Sequence, residues 1–140
     1  MAHTNQLGNI PCFSIPVKNN SGSDIAEGTP LSIDAANAIG TLAFANAIPV
    51  VTIAAVGNAC VGVAQMIIPA GGTGSARVLG AQKMVSDGAI TAGGIVDGSN
   101  TVGKGAKAHA AGKAQLGMAL TTSADGEDVL VLLGVGAFNA

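Results

Sequence analysis

The sequence predicts an all-β protein built from small sandwich or barrel modules, and three observations lead to this prediction. The apolar runs are short and rich in β-branched residues, which favour strands. Turn signals made of Gly, Asp, Asn and Ser separate these runs at short intervals. No 12-residue window carries the apolar spacing of an amphipathic helix.

The predicted strands follow the apolar runs in chain order. They lie at 13–17, 30–33, 50–53, 61–68, 76–79, 94–96, 116–120 and 129–135. The predicted turns lie at 19–22, 71–74, 87–88, 97–100 and 124–126. Two segments, 35–47 and 105–114, contain enough Ala for a short helix. Gly40 and the Asn residues weaken the first of them, and we expect loops and strands in both.

Residues 1–20 are predicted to form an extended N-terminal arm, followed by a single β domain over 21–140. Pro11 and Pro16 each push the residue before them toward extended geometry and lack an N–H donor. Such an arm can add to the sheet edge of another chain, although a frayed terminus that never orders is the alternative. The apolar side chains expected to contact the capsid or a neighbouring subunit are Leu7, Ile10, Phe13, Ile15 and Val17.

A weak internal repeat predicts a duplicated β unit, with sub-modules at 21–82 and 83–136. Its clearest part is an Ile-x-x-Gly-x-x-aliphatic pattern that begins at Ile25 and again at Ile90. The further matches are 61–64 with 116–119 and 69–80 with 123–134.

The charge content indicates a surface that is buried against other chains. Charged residues make up 10% of the sequence, whereas about a quarter is usual for soluble proteins. The apolar share of 49% also argues against intrinsic disorder. We therefore expect a homo-oligomer, with a trimer favoured over a dimer.

Composition also argues against nucleic-acid and membrane partners. Six Lys plus Arg against eight Asp plus Glu, with 2% aromatics, give neither a basic footprint nor stacking platforms. The apolar segment 42–56 has only 15 residues and contains Pro49, whereas a spanning helix needs about 20. The first residues lack the basic start and apolar run of a signal peptide, so we expect no export.

No pattern of residues predicts an enzyme, a cofactor site or a metal site. Cys12 and Cys60 are far apart in sequence and have no neighbouring Cys or His. The glycine-rich segment 71–75 lacks the Lys that a phosphate-binding loop needs. Only His3 and His109 could serve as bases for a nucleophile, and we expect His109 to face solvent.

Two clusters of charged residues are also interpreted without catalysis. Glu127 and Asp128 follow an Asp-Gly turn and match no Ca²⁺ loop, so we expect a solvated turn. A basic cluster is formed by Lys104, Lys107 and Lys113. It is interpreted as a solvated loop, with a patch for an acidic partner as the alternative.

The second half of the chain resembles the closing segment of tailed-phage capsid decoration (cement) proteins. The resemblance lies in 89–96 (AITAGGIV), a Gly/Lys-rich loop, 115–121 (QLGMALT) and 124–133 (ADGEDVLVLL). It extends over 22–135 and is strongest over 88–134. The sequence departs from the family at Gly94, where an acidic residue is usual, and in the uncharged segment 35–76.

The resemblance implies a structural virion protein that is made in the host bacterial cytoplasm and binds the outer surface of a bacteriophage capsid. Its partners would be the major capsid protein and further copies of itself, and its function would be to stabilise the shell. The alternative is a minor tail, fibre or head-completion component of the virion. A third hypothesis, a small-molecule-binding barrel or an enzyme subunit, has no support beyond the glycine-rich loops.

Overall fold

A computed structural model describes residues 12–36 and 48–134, and this part of the chain contains nine strands and no helix. The strands are β1 Phe13–Asn19, β2 Pro30–Ile33, β3 Val50–Ile53, β4 Gly62–Ala64, β5 Thr73–Val85, β6 Ile95–Gly98, β7 Ala106–Ala108, β8 Gln115–Ala119 and β9 Asp128–Leu133. The prediction of an all-β fold is confirmed.

The first five strands close into a barrel, which we call barrel 1. Around the barrel the order is β1, β3, β2, β4 and β5, and β5 pairs back with β1. The β1–β3 pairing is parallel, and the other four are antiparallel. Seven fully buried residues form its core: Val17, Ile25, Leu31, Val51, Ala64, Ile68 and Ala76.

Strand β5 is long enough to belong to a second barrel, which we call barrel 2. Up to Leu79 it pairs with β1, and from Gly80 onward it pairs with β9. The order around barrel 2 is β5, β9, β8, β6 and β7. One parallel bridge, between Ser86 and Ala106, links β7 to the end of β5 and completes the ring. The two barrels therefore share one strand.

The two barrels have the same topology, which explains the repeat seen in the sequence. Strands β1 to β5 of barrel 1 correspond in order to β5 to β9 of barrel 2, with the same parallel and antiparallel pairings. In barrel 1, Ile25 and Ile68 exchange two backbone hydrogen bonds of 2.9 Å each. In barrel 2, Ile90 and Ser123 exchange two of 3.0 and 2.9 Å.

The repeated Ile-x-x-Gly pattern encodes a turn at the same place in each barrel. Gly28 and Gly93 have φ values of +80° and +83°, as at the third position of a type II turn. Their N–H groups donate to the carbonyls of Ala64 and Ala119, both at 2.7 Å.

The third of the predicted sequence matches is one residue out of register. Ala76 pairs with Ala64 on β4, and Val131 pairs with Ala119 on β8, so Ala76 corresponds to Val131. The match of 69–80 with 123–134 aligns Gly80 with Gly134, and it therefore places Ala76 against Leu130. Because side chains alternate between faces, this slip would have exchanged inward and outward positions.

The loops differ in length where the two copies diverge most. Fifteen residues lie between Asp34 and Val50 in barrel 1, whereas five lie between Ser99 and Gly105 in barrel 2. Corresponding backbone hydrogen bonds close both loops. The N–H of Asp34 donates to the Val50 carbonyl at 2.9 Å in barrel 1, and the N–H of Ser99 donates to the Gly105 carbonyl at 2.8 Å in barrel 2.

The barrels also pack against each other through a close backbone approach. On β4, Ala64 points into the core of barrel 1, whereas Val63 is fully buried in the core cluster of barrel 2. A Cβ atom on Gly105 would lie 2.0 Å from the carbonyl oxygen of Gly28. The corresponding position in barrel 1 is Val50, against which no second barrel packs in the described part of the chain.

Candidate interaction surface

The predicted contact residues of the N-terminal segment have different environments. Val17 is fully buried in the core of barrel 1, and Ile15 packs against that core. The predicted contact at Val17 is therefore wrong, because β1 is a strand of this chain's own barrel and uses Val17 for its own packing. Leu7 and Ile10 lie outside the described residues.

Among the predicted contact residues that the structure describes, Phe13 has the most exposed side chain. Its relative exposure is 58%, and it pairs across the strands with Leu79, which is 46% exposed. Two large apolar side chains thus lie together on the surface where β1 begins, and an intermolecular contact at Phe13 stays a prediction.

A second apolar surface lies on barrel 2 and was not singled out from the sequence. On β9, Val129, Val131 and Leu133 are buried, so the alternating residues Leu130 and Leu132 point outward. Their neighbours on the strand before are Leu120 and Met118. We call this surface the β8–β9 outer face, defined by Met118, Leu120, Leu130 and Leu132.

The corresponding face of barrel 1 is polar and partly covered. Its residues are Val63, Gln65, Ser75 and Arg77. The backbone N–H of Gln65 donates to the Ser75 carbonyl, and in barrel 2 the backbone N–H of Leu120 donates to the Leu130 carbonyl in the same way. Barrel 2 packs on this face over Val63. The β8–β9 outer face therefore repeats a surface that carries a barrel elsewhere in the chain, but with apolar side chains, of which Leu120 is exposed and the other three are half-buried.

Two lysines of the basic cluster, Lys104 and Lys107, are paired with carboxylates within the fold. Lys104 Nζ lies 2.5 Å from Asp125 Oδ1 and 3.9 Å from Asp87 Oδ1, and Lys107 Nζ lies 3.9 Å from Asp87 Oδ2. Hydrogen bonds from Ser99 and then Thr101 lower the pKa of Asp87, and the nearby lysines contribute further. Lys104 is half-buried and paired with two carboxylates, so the expectation of a solvated loop does not hold for this lysine, and a patch for an acidic partner stays a prediction.

Asp125 belongs to the same cluster. A hydrogen bond from Lys104, followed by one from the backbone N–H of Gly88, lowers the pKa of Asp125. These contacts join the turn after β5 to the turn before β9, so the cluster fastens one end of barrel 2.

The expectation that His109 faces solvent is wrong, because the His109 ring contacts a buried carboxylate. His109 Nδ1 lies 2.7 Å from Asp97 Oδ1, and the other carboxylate oxygen accepts the Ala110 N–H at 2.9 Å. Asp97 is only 2% exposed, so the pair fixes the start of the loop after β7. A strand-interior Asp followed twelve residues later by a His was the available sequence signal.

The nearby thiol is poorly suited to nucleophilic chemistry. Burial, with a smaller contribution from the charge of Asp97, raises the pKa of Cys60 to about 11. A thiol with this pKa is almost entirely protonated at neutral pH and is a weak nucleophile. Among the described residues, no three His, Cys, Asp or Glu side chains are grouped so that they could hold a metal ion.

The described part of the chain contains no helix with the length and hydropathy needed to span a membrane.

A search of solved structures found a protein with a similar architecture: "The crystal structure of head fiber gp8.5 N base in bacteriophage phi29". The TM-score is 0.62 and the sequence identity is 14%. The match covers 89% of this chain and 95% of that chain. The two proteins share a fold. No protein-family model and no curated protein matches the sequence.

Proposed function

We propose that this protein is a structural component of a bacteriophage virion that binds the outer surface of the capsid and stabilises the shell. The observation that carries the proposal is the fold, which matches the base of a phage head fiber over nearly the full length of both chains. A head-fiber base is a phage structural module, and the sequence independently resembles capsid decoration proteins over 88–134. Its partners would be the major capsid protein and further copies of itself.

The surface chemistry supports this proposal. Exposed apolar patches of a few hundred Å² usually mark interfaces. The β8–β9 outer face is apolar where barrel 1 has polar side chains, with Leu120 exposed and its other three residues half-buried. We propose it as the footprint on the shell. Many copies on one particle also add avidity, so that no single contact has to be strong.

The second candidate is a fibre, tail or head-completion component, and the fold similarity to a head-fiber base favours the fibre version. The two candidates differ in copy number and position. A decoration protein covers the shell with many copies, whereas a tail or head-completion component occurs in few copies at one vertex.

The test is electron microscopy of the parent virion, together with binding of the purified protein to shells that lack it. We expect density for two small barrels at many equivalent outer positions, and saturable binding to the empty shells. Density at a single vertex would support a tail or head-completion component instead. Absence of the protein from the virion would refute both versions.

A further inference from the structure

A cleft between the two barrels contains a cationic side chain whose hydrogen-bond donors are not all paired within the fold. The cleft has a volume of about 270 Å³. Barrel 1 contributes Glu27, Gln65 and Arg77 to its walls, and barrel 2 contributes Lys83 and Leu130. Leu130 also belongs to the β8–β9 outer face, so the cleft opens beside the apolar surface proposed above as the footprint on the shell.

Arg77 has more hydrogen-bonding capacity than its neighbours satisfy. Its Nη1 atom donates to the carbonyl oxygen of Ala81 at 2.5 Å. Its Nε atom is buried and has no hydrogen-bond partner among the described residues. No carboxylate of the described residues lies within ion-pair distance of its guanidinium. Glu27 lines the same cleft, but its side chain is exposed and does not form this pair.

The barrel fold itself does not require a guanidinium at this position. The corresponding residue in barrel 2 is Leu132, which has the same strand pairing as Arg77. An Arg with a buried, unpaired N–H is costly, because the group has lost its water without gaining a partner. Because the buried Nε–H is closed to a ligand as well as to water, a ligand in the cleft would have to bind the Nη groups of the guanidinium.

We propose that this cleft binds a carboxylate side chain, an Asp or Glu of the shell protein, through Arg77. The planar fork of a guanidinium matches the two oxygens of a carboxylate. A single guanidinium beside the negative Glu27 suits a monovalent carboxylate better than a phosphate group. The inference rests on the proposed function, since it names the chemistry by which the footprint recognises the shell.

The test is a titration of empty shells with the purified protein and four variants. Arg77→Leu copies the residue of barrel 2, and we expect it to weaken binding at least about tenfold. Arg77→Lys keeps the charge but loses the planar fork of the guanidinium, so its affinity should lie between those of the unmodified protein and Arg77→Leu. Glu27→Gln removes a competing charge and should tighten binding about two- to fivefold.

Lys18→Gln is the matched control, because it removes one positive charge from an exposed site on β1. Its affinity should stay within about twofold of the unmodified protein, which separates a local effect from a change in net charge. Added salt should weaken binding of the unmodified protein more than binding of Arg77→Leu.

The outcomes separate this inference from the proposed function. If the unmodified protein fails to bind shells, the proposed function is wrong. If it binds and the folded Arg77→Leu variant binds equally well, the carboxylate site is wrong and the function stands. Circular dichroism reports whether Arg77→Leu folds. If it does not fold, unchanged affinities of both Arg77→Lys and Glu27→Gln overturn the inference.

Discussion

At the level of single residues, Asp87 and Asp125 contribute to the way in which the stability of the protein responds to acid. Hydrogen bonds from Ser99 and Thr101 lower the pKa of Asp87, and a hydrogen bond from Lys104 lowers that of Asp125. Both folded pKa values therefore lie below the unfolded value of about 3.9. Their contribution to stability is fully present above that pH and is lost as the pH falls through the folded values.

Asp87→Asn should remove the share of this acid dependence that belongs to Asp87. We expect the variant to be less stable than the unmodified protein at neutral pH, and the difference between them to shrink in acid. Urea unfolding followed by circular dichroism over a pH series measures both. Asp128→Asn is the control, because Asp128 forms only an exposed pair with Lys83 at 3.6 Å. Parallel stability curves for Asp87→Asn and the unmodified protein would contradict the prediction.

The close approach at Gly105 gives a second prediction at the residue scale. A methyl group there would overlap the Gly28 carbonyl oxygen, at 2.0 Å, and a backbone atom cannot rotate away. Gly105→Ala should therefore lower the free energy of unfolding by about 3 kcal/mol. The control, Gly103→Ala, has open space around it but a φ of +75°, so it should cost only about 1 kcal/mol. Equal losses in the two variants would show that the packing of the barrels is not the cause.

At the level of strands, β9 has different functions on its two faces. Val131→Thr would place a hydroxyl group in the core of barrel 2 and should cost about 2 kcal/mol of stability. The double variant Leu130→Thr, Leu132→Thr changes the outward face and should cost less than about 1 kcal/mol per site. Its binding to shells should nevertheless fall at least about tenfold. Unchanged shell binding by the double variant would exclude the β8–β9 outer face as the footprint.

Most strands could be predicted from the sequence, and the exceptions have physical reasons. The runs at 13–17, 30–33 and 50–53 fall on β1, β2 and β3. For β5 only 76–79 was predicted, because Gly80, Gln82 and Lys83 interrupt the apolar pattern. These residues lie where the strand passes from one barrel to the other, and a pattern based on one buried face does not describe that passage.

The candidate surface was harder to predict than the strands. In β9 the residues of both alternations are aliphatic, so the sequence does not show which set points outward. The outward orientation of Leu130 and Leu132 is known only from the structure, in which Val129 and Val131 lie in the core. The N-terminal segment attracted the prediction instead, because Val17 looks like an anchor until its barrel is known. Arg77 gave no local signal, since its role depends on a cleft between two barrels.

At the level of the whole molecule, the shared strand joins the two barrels into one unit. Val63 of β4 is fully buried in the core cluster of barrel 2, so barrel 1 also contributes a side chain to the core of barrel 2. We expect a single cooperative unfolding transition by circular dichroism and by methyl NMR. Val63→Ala should lower the stability of this single transition by about 2 kcal/mol. Val102→Ala is the control, because Val102 is 97% exposed. Two separate transitions would show that the barrels unfold independently.

The low charge of the chain leads to a prediction about assembly. With 10% charged residues, the protein is expected to bury surface against copies of itself. Sedimentation equilibrium at micromolar concentration should give the mass of three 13.4 kDa chains. A monomer under these conditions, without shells, would contradict this prediction.

Sharing β5 also sets a rule for how such a protein can grow. One closed barrel needs five strands, but two need only nine, because the last strand of the first is the first strand of the second. A further barrel appended after β9 would therefore add four strands. It would also need glycine where barrel 2 has Gly98 and Gly105, the positions at which barrel 1 packs closely. Barrel 1 has Ile33 and Val50 at those positions, and their side chains would block the same close packing of a barrel placed before it. A further barrel is therefore easier to add by design after barrel 2 than before barrel 1.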